Sequence, residues 1–151
     1  MEHEDFVTYE QALRLKELGF DWKVRACYRR KLILDDNPHY TEPKFVHNDT
    51  MRKRWTTNYN DNRCGGGSGK YYYSAPTLAQ AQKWLREKEI EVGVFGDFEG
   101  ELPTGKWVWL IRKFNTHLFD TVFTEDDIRF DTYEKALSAG IDKALELLGD
   151  D

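Results

Sequence analysis

The feature that most restricts the fold of this chain is the stretch from Ser74 to Lys88, which predicts an amphipathic helix. Pro76 is compatible with the start of a helix and not with its interior. Thr77 and Gln80 have the spacing of a capping box, in which the hydroxyl accepts a bond from a backbone N–H and the glutamine side chain reaches back. The residues that recur at helical spacing are Leu78, Ala81, Leu85 and Lys88, with Trp84 beside them, so one face of this helix is apolar. Because strand-like segments flank this stretch, we expect the helix to cover a β-sheet.

The composition is that of one folded domain. The chain has 151 residues, of which 40% are hydrophobic and 15% aromatic, and a disordered chain would contain few of these. The first residues contain no apolar run, and no run approaches the roughly 18 apolar residues of a membrane span. We therefore expect a cytoplasmic protein without a membrane partner. Cys27 and Cys64 are too few for a disulfide framework, so we expect two free thiols. We also expect no cofactor.

Two further helices are predicted near the ends of the chain. The first spans Tyr9–Leu18, where Thr8 repeats the capping-box pattern and Gly19 occupies the position of a left-handed C-cap. The last begins at Asp131 or Thr132. Its apolar stripe consists of Tyr133, Ala136, Leu137, Gly140, Ile141, Ala144, Leu145 and Leu148.

Alternating or wholly apolar runs predict the strands. They cover 24–34, 71–74, 90–95, 107–111 and 117–123. The run at 107–111 is apolar on both faces, which predicts a central strand, and we expect the last three runs to form an antiparallel meander. Strand and helix runs are separate rather than strictly alternating. The sequence therefore predicts an α+β fold in a single domain, residues 1–151, with an antiparallel sheet (β-meander) packed with three helices.

Residues 35–70 are predicted to form a long polar loop or insertion, because their apolar residues are scattered and two prolines interrupt them. Lys44–His47 and Arg54–Tyr59 remain possible short strands. The glycine-rich end at 65–70 is typical of a linker rather than of a phosphate-binding loop. A cysteine and a tyrosine stand where that loop needs a glycine and a serine or threonine.

Two eight-residue segments, 6–13 and 130–137, agree at six of their eight positions. We interpret this as one helix-start solution used twice, and not as a duplicated domain. The segments 74–87 and 132–141, together with 8–19, are similar to parts of small uncharacterised proteins of phages and integrated mobile elements of gut Bacteroidales. The resemblance covers these three segments. It implies an intracellular accessory protein and carries no activity.

No catalytic or metal-ligating residue is predicted. His39 and His47 lie near Asp49 and Cys64 in the sequence, but their spacing fits no structural zinc pattern. The chain has no Gly-x-Ser-x-Gly nucleophile motif. The acids at 125–127 precede a helix, where acids are structurally favourable.

The basic and aromatic residues between 44 and 72 are the candidate nucleic-acid or partner contacts. Cations neutralise phosphates and aromatic rings stack on unpaired bases, a combination that suits single-stranded nucleic acid. The candidates are Arg52, Lys53, Arg54, Trp55, Arg63, Lys70 and Tyr71. Five acids within 35–70 and a net charge of −5 argue against this interpretation.

Three functions therefore remain open. The leading hypothesis is a non-catalytic protein-interaction or accessory protein of a phage or mobile element, acting on a host or phage protein. A single-stranded nucleic-acid-binding protein using 44–72 is the second, and a small enzyme is the third. We also favour a homodimer. If all three helices packed on one face of the sheet, the other face would keep aromatic side chains from Tyr71–Tyr73, Trp107 and Trp109. A monomer with helices on both faces is the alternative.

Overall fold

The computed structural model describes residues 3–30, 43–47, 56–61, 72–114, 121–124 and 128–150. These residues form a short 3-10 helix at His3–Asp5, three α-helices and six strands. The helices are α1 (Tyr9–Glu17), α2 (Leu78–Glu87) and α3 (Tyr133–Gly149). The strands are β1 (Ala26–Arg29), β2 (Lys44–His47), β3 (Tyr72–Ser74), β4 (Ile90–Glu99), β5 (Leu102–Lys113) and β6 (Thr121–Thr124). The predicted α+β class and its three helices are confirmed.

The strands belong to two antiparallel sheets, where the sequence predicted one. The order is β2-β1-β3 in the first sheet and β4-β5-β6 in the second. The second sheet is the predicted meander, with β5 in its centre. Within the predicted strand at 24–34, β1 pairs with β2 and β3 and not with the meander, while 31–34 lie outside the described residues. The chain divides accordingly into two compact units, unit 1 (Met1–Phe6 and Thr77–Asp151) and unit 2 (Val7–Pro76).

In unit 1, helix α3 packs on the sheet face that carries Val92 and Trp109. A Cβ atom on Gly140 would lie 2.7 Å from Cγ1 of Val92 and 3.2 Å from Cβ of Trp109, so the missing side chain permits a close approach. Trp109 is only 4% exposed. The Trp109 side chain therefore lies on the face that α3 covers, and the homodimer that an uncovered aromatic face would favour stays a prediction. The opposite face carries Phe95 and the half-exposed Leu110 instead.

In unit 2, rings join helix α1 to the sheet. The Tyr9 ring makes edge contacts with Tyr28 and Tyr73, each with centroids 5.7 Å apart. The Tyr28 hydroxyl donates a 2.7 Å hydrogen bond to the backbone oxygen of Val7. Burial, together with the charge of Glu10, raises the pKa of Tyr28. Helix α1 therefore covers the face of the sheet that carries Tyr28 and Tyr73.

Two helix starts have the predicted capping box. Thr8 Oγ1 accepts from Gln11 N and Thr77 Oγ1 accepts from Gln80 N, while each glutamine side chain accepts the threonine N–H. The repeated eight-residue segments also share a helix start, because Thr132 caps α3 as Thr8 caps α1. The phenylalanine that opens each segment forms an isolated bridge, to Thr77 in the first segment and to Trp107 in the second. The predicted threonine cap is therefore present at both helix starts.

Part of the predicted loop is ordered into the sheet of unit 2. Lys44–His47 is strand β2, as the alternative interpretation allowed, and Thr57 pairs with Val24. The glycine-rich run at 65–70 lies outside the described residues, as does most of 35–70. Cys27 is buried, and Cys64 is outside the described residues. Among the described helices, none has the length and apolar character needed to cross a membrane.

Candidate partner-binding surface

All seven predicted contact residues lie outside the part of the chain that the structure describes. The structure therefore does not show whether they form one surface. They are Arg52, Lys53, Arg54, Trp55, Arg63, Lys70 and Tyr71. The same applies to His39, Asp49 and Cys64 of the zinc pattern considered above. Within the described ranges, no group of three or more His, Cys, Asp or Glu side chains could hold a metal ion.

The most prominent described surface is the end of the β4–β5 hairpin. We call residues 95–103 the hairpin end. It exposes three large apolar side chains: Phe95 at 54%, Phe98 at 61% and Leu102 at 73%. These are half of the large apolar residues that are exposed in the described ranges. Scattered exposed apolar residues are normal, so the hairpin end stands out because three of them fall within eight consecutive residues.

Local turn chemistry explains why the hairpin forms here. Glu99 pairs with Leu102, which leaves a two-residue loop of Gly100 and Glu101. Gly100 has a φ of +64° and Glu101 does not have a positive φ, as a type II′ turn requires. Such turns have a twist that matches the flanking strands. The hairpin end is therefore a continuation of the sheet and not a separate loop.

The base of the hairpin end is braced by a neighbouring segment. The register shifts between Gly96 and Phe98, and the Asp97 carboxylate accepts a 2.9 Å bond from Thr104 Oγ1 at this irregularity. Asp97 also pairs with Arg129 Nε at 2.9 Å. This network fixes the two strands within the hairpin end, between Phe95 and Phe98.

Two further contacts join the same segment to β5. Trp107 and Phe130 exchange backbone hydrogen bonds of 2.8 and 2.9 Å. The Lys106 ammonium contacts the Asp131 carboxylate, and this bond and charge hold the pKa of Asp131 below its usual value. The apolar side chains therefore project from strands that these contacts hold in place. This reduces the conformational entropy that is lost when a partner binds.

The apolar side chains lie on both faces of β4. The Phe95 ring lies over Gly93, because a Cβ atom at that glycine would be only 2.9 Å from Phe95 Cε2. Phe98 lies on the other face beside Gly96, whose Cβ would be 3.8 Å from its ring. A hairpin end that is apolar on both faces is suited to insertion into a cleft.

The charges of the hairpin end are all negative. Residues 97–103 contain three acids and no base, and Asp97 is the one paired with Arg129. Glu99 and Glu101 are exposed, and neither has an ion-pair partner among the described residues. Unit 1 as a whole contains 19 acidic and nine basic residues, a net charge of −10. A matching partner would therefore carry lysine or arginine around its apolar cleft.

Comparison of the chain with protein-family models, with curated proteins and with solved structures found no match.

The sequence did contain a signal for this hairpin, but its residues were interpreted as two separate features, a strand and a turn region. The strand prediction ended at Phe95, and 100–105 was interpreted as a turn region because Gly100, Pro103 and Gly105 are typical of turns. The informative cue is the Glu99-Gly100-Glu101 run, which has a glycine where a two-residue hairpin turn needs positive φ.

Proposed function

We propose that this chain is a non-catalytic protein-interaction protein whose hairpin end inserts into an apolar cleft of a partner protein. The observation that carries the proposal is the exposure of Phe95, Phe98 and Leu102 on one braced hairpin. Aromatic anchors that enter a pocket on the partner supply most of the free energy in many interfaces. The unpaired Glu99 and Glu101 add selectivity for a cleft with a basic rim.

The partner is a host or phage protein. This part of the proposal rests on the resemblance of 8–19, 74–87 and 132–141 to proteins of phages and mobile elements of gut Bacteroidales. An acidic apolar hairpin end supports this role, since it requires only a complementary surface.

The first measurement is the mass in solution, because a second copy could also cover the hairpin end. The homodimer stays a prediction, and light scattering at micromolar concentration tests it against the 17.9 kDa monomer. If the wild type is a dimer and a Phe98→Ser, Leu102→Ser variant is a monomer, the hairpin end is a self-association surface. That outcome would contradict the proposed basic partner.

The second experiment measures binding to a heterologous partner. Proteins that co-purify with the wild type from the natural host are identified, and the one lost with the Phe98→Ser, Leu102→Ser variant is then purified. We expect its Kd to rise at least about 30-fold, as for loss of an anchor contributing about 2 kcal/mol. Ile128→Ser is the matched control, because Ile128 is 44% exposed and lies outside the hairpin end. Equal affinity of wild type and double variant would contradict the proposal.

A further inference from the structure

The second unit carries a different surface, formed by one row of residues across its sheet. Arg29 on β1 is paired with Lys44 on β2 and with Tyr72 on β3. Directly opposite residues in antiparallel strands point to the same side, so these three side chains share a face. We call it the Tyr72 face. It is the reverse of the face on which α1 packs against Tyr28 and Tyr73.

Two cations stand opposite each other on this face. Arg29 and Lys44 are both exposed, and neither is paired with a carboxylate among the described residues. Like charges directly opposite each other destabilise a sheet. The arrangement costs stability within the chain, and a bound anion would remove that cost.

Aromatic rings adjoin the two cations. The rings of Tyr59 and Tyr72 are stacked, with centroids 6.4 Å apart and planes 26° apart. The Arg29 guanidinium lies 5.8 Å from the centroid of the Tyr72 ring. Both tyrosines are half-buried, so each side chain keeps some solvent-exposed surface.

The side-chain amide of Asn60 holds in place the segment that carries Tyr59. Asn60 Oδ1 accepts a 2.9 Å bond from Ser74 N, and its Nδ2 donates a 2.9 Å bond to the Phe20 oxygen. These bonds attach the 56–61 segment to β3 beside Tyr72. The stacking surface is therefore preformed rather than assembled on binding.

The charge of unit 2 has the sign that a polyanion would require. Residues 7–76 contain 13 lysines and arginines and eight acids, a net charge of +5, although the whole chain carries −5. The overall acidity that argued against nucleic acid is thus a property of unit 1. A basic unit with an exposed cation pair beside tyrosine rings has the electrostatic and stacking features of a nucleic-acid-binding module.

We infer that the Tyr72 face binds single-stranded nucleic acid. Arg29 and Lys44 contact phosphates, and unpaired bases stack on Tyr72 and Tyr59. Single strands are favoured over duplexes because the bases must be free to reach the rings. The site lies in unit 2 and does not depend on the protein partner proposed for the hairpin end.

Fluorescence anisotropy with labelled oligonucleotides of about 20 nucleotides, in about 50 mM salt, tests the inference. The probes are oligo-dT, oligo-rU and a DNA duplex, with polyphosphate as a competitor that has no bases. We expect both single strands to bind at least about tenfold more tightly than the duplex. Preference for one of the two single strands identifies DNA or RNA as the ligand and leaves the inference intact.

The variants separate stacking from charge. Tyr72→Leu should raise the Kd about tenfold, whereas Tyr72→Phe keeps the ring and should change it less than about twofold. Arg29→Gln or Lys44→Gln should each reduce the slope of log Kd against log salt by about 0.7. Arg14→Gln is the charge-matched control, because Arg14 lies on α1 and pairs with Glu17.

Three results would overturn the inference. The first is absence of binding at low salt, and the second is equal affinity for duplex, polyphosphate and single strands. The third is a salt slope that changes as much with Arg14→Gln as with Arg29→Gln. If Tyr72→Leu does not fold, the two glutamine variants and the duplex comparison still decide the question, because they leave the tyrosines unchanged.

Discussion

The two units contain similar secondary-structure elements but have net charges of opposite sign. Each contains a three-stranded antiparallel sheet and a helix that starts at a threonine–glutamine capping box. Unit 1 carries a net charge of −10 and exposes an apolar hairpin end, while unit 2 carries +5 and exposes cations beside tyrosines. Similar scaffolds thus present surfaces suited to different ligands, which is why the function must be argued from the surface and not from the fold.

The units also differ in how a helix meets the sheet. In unit 1 a glycine, Gly140, brings α3 close to Val92 and Trp109. In unit 2 the bulky ring of Tyr9 fills the space between α1 and the sheet. The first contact has no space for an added side chain, so it should be the more sensitive to enlargement.

The largest effect is therefore expected from Gly140→Val. A valine would overlap Val92, whose short branched side chain cannot move away, and we expect the free energy of unfolding to fall by about 3 kcal/mol. Urea denaturation measures this. Ala139→Val is the control, because Ala139 is half-exposed on the same helix and the change should cost less than about 0.7 kcal/mol. Equal losses for the two variants would contradict the close approach of α3 to the sheet.

The two capping boxes give the next comparison. Gln11 is 1% exposed, whereas Gln80 is half-exposed, although both accept the N–H of their threonine. Gln11→Ala should cost about 2 kcal/mol because a buried hydrogen-bonding side chain is lost, and Gln80→Ala about 0.5 kcal/mol because water can replace it. Thr77→Ala should cost about 1 kcal/mol by loss of the cap.

Thermal melts of these variants give the ranking directly. The gain in helix propensity is the same for the two glutamine substitutions, so the difference between them isolates burial. If Gln80→Ala costs as much as Gln11→Ala, burial does not distinguish the two boxes. An unchanged midpoint for Thr77→Ala would mean that α2 does not depend on this cap.

Local signals in the sequence were sufficient for the helices. Thr8, Thr77 and Thr132 cap the three helices as predicted, because a cap depends on a few consecutive residues. The meander was also predicted, since each of its strands follows the previous one along the chain. The division into two sheets was not, because the pairing of β1 with β2 and β3 joins residues far apart in sequence.

The candidate surfaces were predicted only in part. The seven named candidates all lie outside the described residues and stay a prediction; Lys44 and Tyr72 at the Tyr72 face lie within the stretch 44–72 but were not among them. The position of Arg29 between these two residues depends on the register of the strands, which local sequence patterns do not give. The hairpin end could not be ranked either, because exposure of Phe98 and Leu102 depends on what packs around them.

The smallest expected effect concerns the residue that comes directly after the C-cap of each of the first two helices. Gly19 has a φ of +91° after α1, and Glu89 has a φ of +66° after α2. This left-handed conformation costs a residue with a side chain about 1 kcal/mol, and glycine avoids that cost. Glu89→Gly should therefore stabilise the protein by about 0.5 kcal/mol, after the greater flexibility of glycine in the unfolded chain is subtracted. Gly19→Glu should destabilise it by about 1 kcal/mol.

The informative result is a change in the free energy of unfolding that has opposite signs at Gly19 and Glu89. A Cβ atom at Gly19 would contact nothing within 4 Å, so the loss there reports backbone strain alone. Glu87→Gly is the control for α2, because Glu87 is helical and the same change should cost about 1 kcal/mol. The carbonyl of Glu89 accepts a 2.8 Å bond from Phe114 N, which holds the residue in place as β4 begins. If Glu89→Gly destabilises the protein as much as Glu87→Gly does, Glu89 is not strained and the two helix ends are equivalent.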